Sequence, residues 1–431
     1  MPALHACLPL IFRAGENGSA GGEDAHASSI LSREFLERRF NRVVELADAL
    51  YEILRALPGP AKRNKAGPDK GKQEQARARR SGRAKAPAAQ KGAQRAGPDH
   101  SRPRKASKTG MKQRTLRQPV EFGGYGVASG RRSFVRILPS ESGGIRFRRV
   151  DDPESAAGFA IGAQNAADVD FGLAFLPPNP KGLAVGGAEN LMGAFAALGI
   201  DNAKVEVEGE EIPILDGSAM PLAFLLLEAG IKDLAQDKQV LEITQPLTLR
   251  ERAAAGETSD SVFGPSGASA DALASLEPCN GFELDVEIDF PHPAIDKDFR
   301  RVEIDFSQAS YLDELACARR YGFSEPEALA RLRGLGRGAC CDCAVVMDAE
   351  RVRNREGLRR FDECVRKEAA NAVADLFAQG VQIKGRYVGR NASRDLNLKL
   401  LRAVLADPAC ARLVPAKSVE KGQEIFFAPP E

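Results

Sequence analysis

The chain has 431 residues, 43% of them apolar, which is enough for ordinary buried cores and more than one domain. A formal net charge of +2 hides a split: Lys62 to Lys108 holds sixteen Lys or Arg against Asp69, Glu74 and Asp99, so the remainder is net acidic. Trp is absent, which argues against an aromatic platform for single-stranded nucleic acid, and no run of apolar residues reaches the length of a membrane span.

Met1 to Phe12 lacks the basic start and long apolar core of a secretory signal. A cytoplasmic chain is therefore expected, with its eight Cys reduced. Cys340-Cys341-Asp342-Cys343 contains one Cys-x-x-Cys pair. A structural zinc site needs a second pair at a sensible spacing, so the expectation is of small buried residues leading into a strand.

Residues 1–29 are rich in Gly, Ser and Ala, a composition that does not fold alone. From Ser32 to Leu57 a helix is expected, because Leu36, Phe40, Val43, Ala47, Leu50, Leu54 and Leu57 step by four and three. That seam suits docking on the chain's own surface or self-association. Pro58 and Pro60 end it. Residues 61–110 are basic and nearly free of large apolar side chains, which suits either a solvated linker or contact with a polyanion. Residues 1–110 thus read as an extension, and Met111 is itself a candidate start of the chain.

Glu121 to Val150 alternates through Gly-rich turns, as an antiparallel meander would. Leu191, Phe195 and Leu198 share one helix face, and Gly199 suits a left-handed cap. Ala203 to Glu208 alternates apolar and charged residues, the mark of a strand with one wet face. Ile212 to Ala219 is a turn into a helix from about Met220 to Ala229. Strands are expected at Leu241–Thr244, Leu247–Leu249 and Phe282–Phe290, with Arg252 to Ser275 as a loop insert. Asp362 to Gln379 reads as a helix stopped by Gly380, on which Lys367, Asn371 and Asp375 are spaced four apart and share one face.

Several blocks resemble the UDP-3-O-acyl-N-acetylglucosamine deacetylase family, the zinc amidases of lipid A synthesis. They are Met111-Lys112-Gln113-Arg114-Thr115-Leu116, Phe122-Gly123-Gly124-Tyr125-Gly126, Leu198-Gly199-Ile200-Asp201-Asn202, Pro213-Ile214-Leu215-Asp216-Gly217-Ser218-Ala219, Pro291-His292-Pro293-Ala294-Ile295 and Leu396 to Leu401. The resemblance implies an α+β fold of two similar domains, here 111–238 and 239–431, each an antiparallel sheet packed with two helices. It also implies an acyl-sugar nucleotide as the substrate class.

The functional positions of that family are altered here. The three zinc-ligand positions, His, His and Asp in the family, hold Asn190, Lys367 and Asn371. Glu189 stands at the general-base position and Asp375 at the carboxylate that orients the catalytic His. That His is replaced by Arg394, the oxyanion-supporting Thr by Arg320, its neighbouring Phe by Tyr321, and the nucleotide-contacting Lys by Glu368. A carboxamide is a poor zinc ligand and an ammonium has no lone pair, so the expected cofactor is none. Without metal-activated water Glu189 is expected to be idle. Lys367 is expected between Glu189 and Asp375, where the cation would have been. The expected function is a zinc-free, catalytically inactive homologue with a regulatory, scaffolding or ligand-binding role, in which Arg320, Tyr321, Lys367 and Arg394 could receive an anionic ligand. The alternatives are a working deacetylase with another metal site, drawing on His5, His26, His100 or His292, and a polyanion binder acting through 61–110.

Overall fold

The computed structural model describes residues 111–155, 157–169, 172–252, 271–289, 292–323 and 336–416. The helix expected at 32–57 and the basic segment 61–110 lie outside the described residues.

In the first half the chain runs β1 (Lys112–Leu116), β2 (Val120–Tyr125), β3 (Arg132–Pro139), β4 (Ile145–Arg149), β5 (Phe159–Ala160), β6 (Ala166–Val169) and β7 (Gly172–Phe175). Then come α1 (Glu189–Leu198), β8 (Ala203–Glu208), α2 (Met220–Glu228) and β9 (Ile231–Asp237). Five strands form one sheet in the order β2-β3-β8-β4-β5. The expected meander is corrected here. β8 inserts between β3 and β4, running antiparallel to the first and parallel to the second. The alternation in β8 buries Ala203, Val205 and Val207 on one face, as its apolar period requires.

All ten residues of α1 are buried. A helix apolar on every side is a core helix rather than a surface one. Leu191, Phe195 and Leu198 are at most 1% exposed, and each contributes about 1.5–3 kcal/mol by leaving water. Gly199 ends the helix in the left-handed region at φ 64°, and the Ile200 N–H donates to Phe195 O at 3.0 Å.

The second half contains β10 (Gln239–Ile243), β11 (Leu247–Glu251), β12 (Ala272–Glu277), β13 (Phe282–Glu287), β14 (Arg301–Asp305), α3 (Tyr311–Glu314), β15 (Tyr321–Phe323) and β16 (Val345–Met347). It ends with α4 (Glu363–Leu376), β17 (Gln382–Arg390), α5 (Arg394–Ala406) and β18 (Ala411–Pro415). Seven of these strands make the second sheet, with the path β11-β12-β17-β10-β18 and with β13 and β14 joined to it through β17. Most pairings are antiparallel, but β17 runs parallel to β10 and β13. Ala272 to Ser275 belong to β12, so the loop insert is shorter than expected from sequence. The α+β class holds, with two sheet-rich regions and few helices. α1 packs against both α2 and α4, and α4 packs against α5, which sets the starts of α1 and α5 beside the middle of α4.

Candidate functional site

Glu189 opens α1, where the helix dipole favours a carboxylate. Its Oε2 accepts the Leu173 N–H at 3.1 Å, an approach allowed by Gly172, since a Cβ there would lie 2.7 Å from that oxygen. Its Oε1 accepts from Arg320 Nη2 at 2.5 Å. Asn190, the next residue, accepts from Lys367 Nζ at 2.7 Å through Oδ1. Lys367 lies on α4. One turn on, Asn371 donates to Glu368 Oε2 at 3.3 Å, and its own Oδ1 is buried without a hydrogen-bond partner. One more turn on, the fully buried Asp375 accepts from Arg394 Nη1 and, at 3.0 Å, from Asn397 Nδ2. Arg394 begins α5, held there by the Ser393 hydroxyl, which accepts the Leu396 N–H at 3.2 Å. Its Nε also lies 3.4 Å from Asp168 Oδ1.

The expected placement of Lys367 is corrected by these contacts. It does not bridge Glu189 and Asp375. Each carboxylate has its own guanidinium, Arg320 for Glu189 and Arg394 for Asp375, while Lys367 is bound by the Asn190 amide. A guanidinium reaches from a distant backbone and meets a carboxylate with directed donors, which a single ammonium on α4 does less well.

The charges in this dry site respond to one another. Burial would raise the Glu189 pKa, but Arg320, Arg394 and Lys367 outweigh it and hold the carboxyl at about 2. Asp375 goes the other way. Burial lifts it to about 7, although Arg394 and Asn397 favour its charged form. Burial brings Lys367 down to about 8, with Glu189 pulling upward and Arg320 and Arg394 pushing further down. The Tyr321 hydroxyl, also fully buried, is pushed well above its ordinary value by burial and by Glu368.

The donor set does not fit a catalytic zinc. Such an ion takes three imidazole or carboxylate ligands and one open position for water. The three positions here offer an ammonium and two carboxamides, and the ammonium is bonded to one of the amides. Among the described residues no group of three or more His, Cys, Asp or Glu is arranged to hold a metal ion. His292 is the one described histidine. Its Nδ1 accepts the Ala294 N–H at 3.1 Å, so Nε2 carries the proton and donates to Asp348 O at 2.6 Å. It thus holds a loop. His5, His26 and His100 lie outside the described residues.

Sequence reasoning brought Glu189, Asn190, Arg320, Lys367, Asp375 and Arg394 to one place, and the fold assembles them there. It missed Asp168, which lies outside the blocks that carry the resemblance. It also missed Asn397, whose Oδ1 accepts from Tyr387 Oη at 2.5 Å while its amide donates to Asp375. The spacing of Asn397 three residues after Arg394, at the start of α5, was an available signal for the latter.

The chain matches the family model described as UDP-3-O-acyl N-acetylglycosamine deacetylase over residues 113–406. Those residues cover well over half of the sequence and contain every site position above. No helix among the described residues is long and apolar enough to cross a membrane. The protein belongs to the UDP-3-O-acyl-N-acetylglucosamine deacetylase family, whose members act in lipid A biosynthesis.

Proposed function

We propose that this family member has kept the deacetylase fold and lost the reaction, and that it serves lipid A biosynthesis in a regulatory or scaffolding capacity. The observation that carries the reading is the Lys367–Asn190 hydrogen bond of 2.7 Å, in which two of the positions that correspond to family zinc ligands bind each other. The same replacement extends outward. Arg394 neutralises the carboxylate that would orient a catalytic His, and Arg320 engages Glu189, the candidate base. A base held near pKa 2 by a guanidinium is a weak proton acceptor, and Asn190, Lys367 and Asn371 are a poor ligand set for a metal that would activate water beside it.

Binding of an acyl-sugar nucleotide or another anion is the ligand reading of the same site. Arg320, Tyr321 and Lys367 are buried, only 9% of the Arg394 side chain is exposed, and each of the three cations already has a protein partner. An anionic ligand would have to displace those partners, so this reading requires the site to open. The non-catalytic scaffold is the simpler account.

The test is incubation of the purified chain with UDP-3-O-acyl-N-acetylglucosamine, with and without added zinc, followed by chromatographic detection of the free amine and acetate. The expected result is no product above the protein-free control under either condition. Product that scales with protein concentration and vanishes in the Glu189→Gln variant would establish a working deacetylase instead.

A further inference from the structure

The Cys340–Cys343 segment was expected to be small buried residues leading into a strand. It does lead into β16, and Cys343 is buried, but Cys340 and Cys341 are exposed in a turn. The N–H groups of Cys343 and Ala344 donate to Cys340 O at 3.1 and 3.0 Å. An i to i+3 turn of this kind brings its end Cα atoms within the range that a disulfide spans. The two sulfurs already lie 3.6 Å apart. Cys340 is exposed, whereas Cys343 is 3% exposed and packs with Val127, Ile214 and Ala339.

The turn is pinned from both sides. The buried Asn354 donates through Nδ2 to Cys341 O at 2.7 Å and to Ala344 O at 2.8 Å, while its Oδ1 accepts the Val346 N–H at 2.8 Å. Opposite, a Cβ on Gly217 would collide with the Cys343 carbonyl, so Gly217 lets the two loops touch. The sulfurs are therefore held near each other by groups other than themselves, which lowers the ordering entropy of closing a bond between them.

We propose that Cys340 and Cys343 form a redox-active dithiol that closes to an intramolecular disulfide by exchange with a low-molecular-weight disulfide. The Cys340 thiolate attacks one sulfur of the reagent, forming a mixed disulfide and releasing one thiolate. The Cys343 thiol gives up its proton to that thiolate and attacks the Cys340 sulfur. The bond to the reagent breaks and the second thiolate leaves, taking a proton from solvent. The two cysteines lose two electrons, and one reagent disulfide becomes two thiols. Exposure suits Cys340 to meet the reagent, and burial beside it suits Cys343 to resolve the adduct. A hydrogen bond from Cys343 lowers the Cys340 pKa to about 6 against the effect of burial, which keeps the attacking sulfur ionised at neutral pH. The site is independent of the loss of catalysis proposed above.

The experiment equilibrates the full chain with glutathione buffers of increasing oxidised fraction, quenches with acid, and measures the tryptic peptide Gly338–Arg351 by mass spectrometry. The expected product is that peptide lacking two hydrogens, in wild type and in Cys341→Ser alike. In Cys340→Ser it should be lost entirely. In Cys343→Ala it should be replaced by a glutathione adduct at Cys340. Circular dichroism of each variant verifies folding, and Cys340→Ser changes an exposed position. Wild type that stops at a glutathione adduct, or a disulfide abolished by Cys341→Ser, overturns the proposal.

Discussion

Lys367 Nζ and Asn190 Oδ1 lie 2.7 Å apart, so two positions that would grip one cation in the family grip each other instead. The partner is a neutral amide, which offsets little of what it costs to bury an ammonium. The consequence is a specific stability prediction for Lys367.

Lys367→Met should stabilise the protein at neutral pH. The folded-state pKa of Lys367 is depressed to about 8 from 10.5. A group depressed in this way costs stability while it is protonated, and the cost disappears only above the unfolded value. That depression corresponds to on the order of 3 kcal/mol, less about 1 kcal/mol for the lost hydrogen bond to Asn190. The variant should therefore gain on the order of 2 kcal/mol at pH 7, and the gain should shrink as pH rises from 8 toward 10.5. Urea unfolding of both proteins at pH 7 and pH 10 measures it. A variant less stable than wild type at pH 7 would mean that the ammonium holds the site together.

The helices of this site were legible in the sequence, and the pairs between them were not. Lys367, Asn371 and Asp375 share a face because 3.6 residues make a turn, and Gly199 marks an end because it tolerates φ 64°. Those are local rules. Which guanidinium meets which carboxylate depends on contacts between residues far apart, such as Arg320 with Glu189, on which spacing is silent. Strands failed in the same way. Alternation assigns each residue of β8 to a face but does not name β3 and β4 as its neighbours, so the inserted, partly parallel order went unseen. Cys340 and Cys341 misled because a small side chain is equally at home in a core and in a tight turn. Here the burial begins only at Cys343.

Arg394 is expected to matter more to stability at alkaline than at acidic pH. Asp375 is fully buried, and burial has raised its pKa to about 7. For a carboxyl raised in this way the favourable contribution is complete below the unfolded pKa of 3.8 and is lost as pH rises through about 7. Arg394→Gln removes the guanidinium that limits that loss. The variant should lose about 3–5 kcal/mol at pH 8, where Asp375 would be a buried unpaired charge, and distinctly less at pH 5, where it is protonated. Denaturant unfolding at the two pH values decides it. Equal losses at both would mean that Arg394 contributes through packing rather than charge.

A zinc site should be installable at the three family ligand positions by ligand chemistry. Wild type is expected to hold no stoichiometric zinc after dialysis, because its three positions provide a protonated amine and two amides. Asn190→His, Lys367→His and Asn371→Asp together supply two imidazoles and one carboxylate at the positions that the family uses. They also remove one positive charge and add one negative, both of which favour a dication. Arg320 and Arg394 remain nearby and oppose it, so the affinity should be lower than an unopposed three-ligand site would reach. The combined variant should retain about one zinc per chain at pH 8 and release it as pH falls through the imidazole range, since ligands must be deprotonated to bind. Emission spectroscopy on dialysed samples measures both proteins, and restoring Lys367 alone in the variant should abolish retention. Zinc at one per chain in dialysed wild type would show that a metal site exists elsewhere in the chain, and the proposed loss of catalysis would lose its main support.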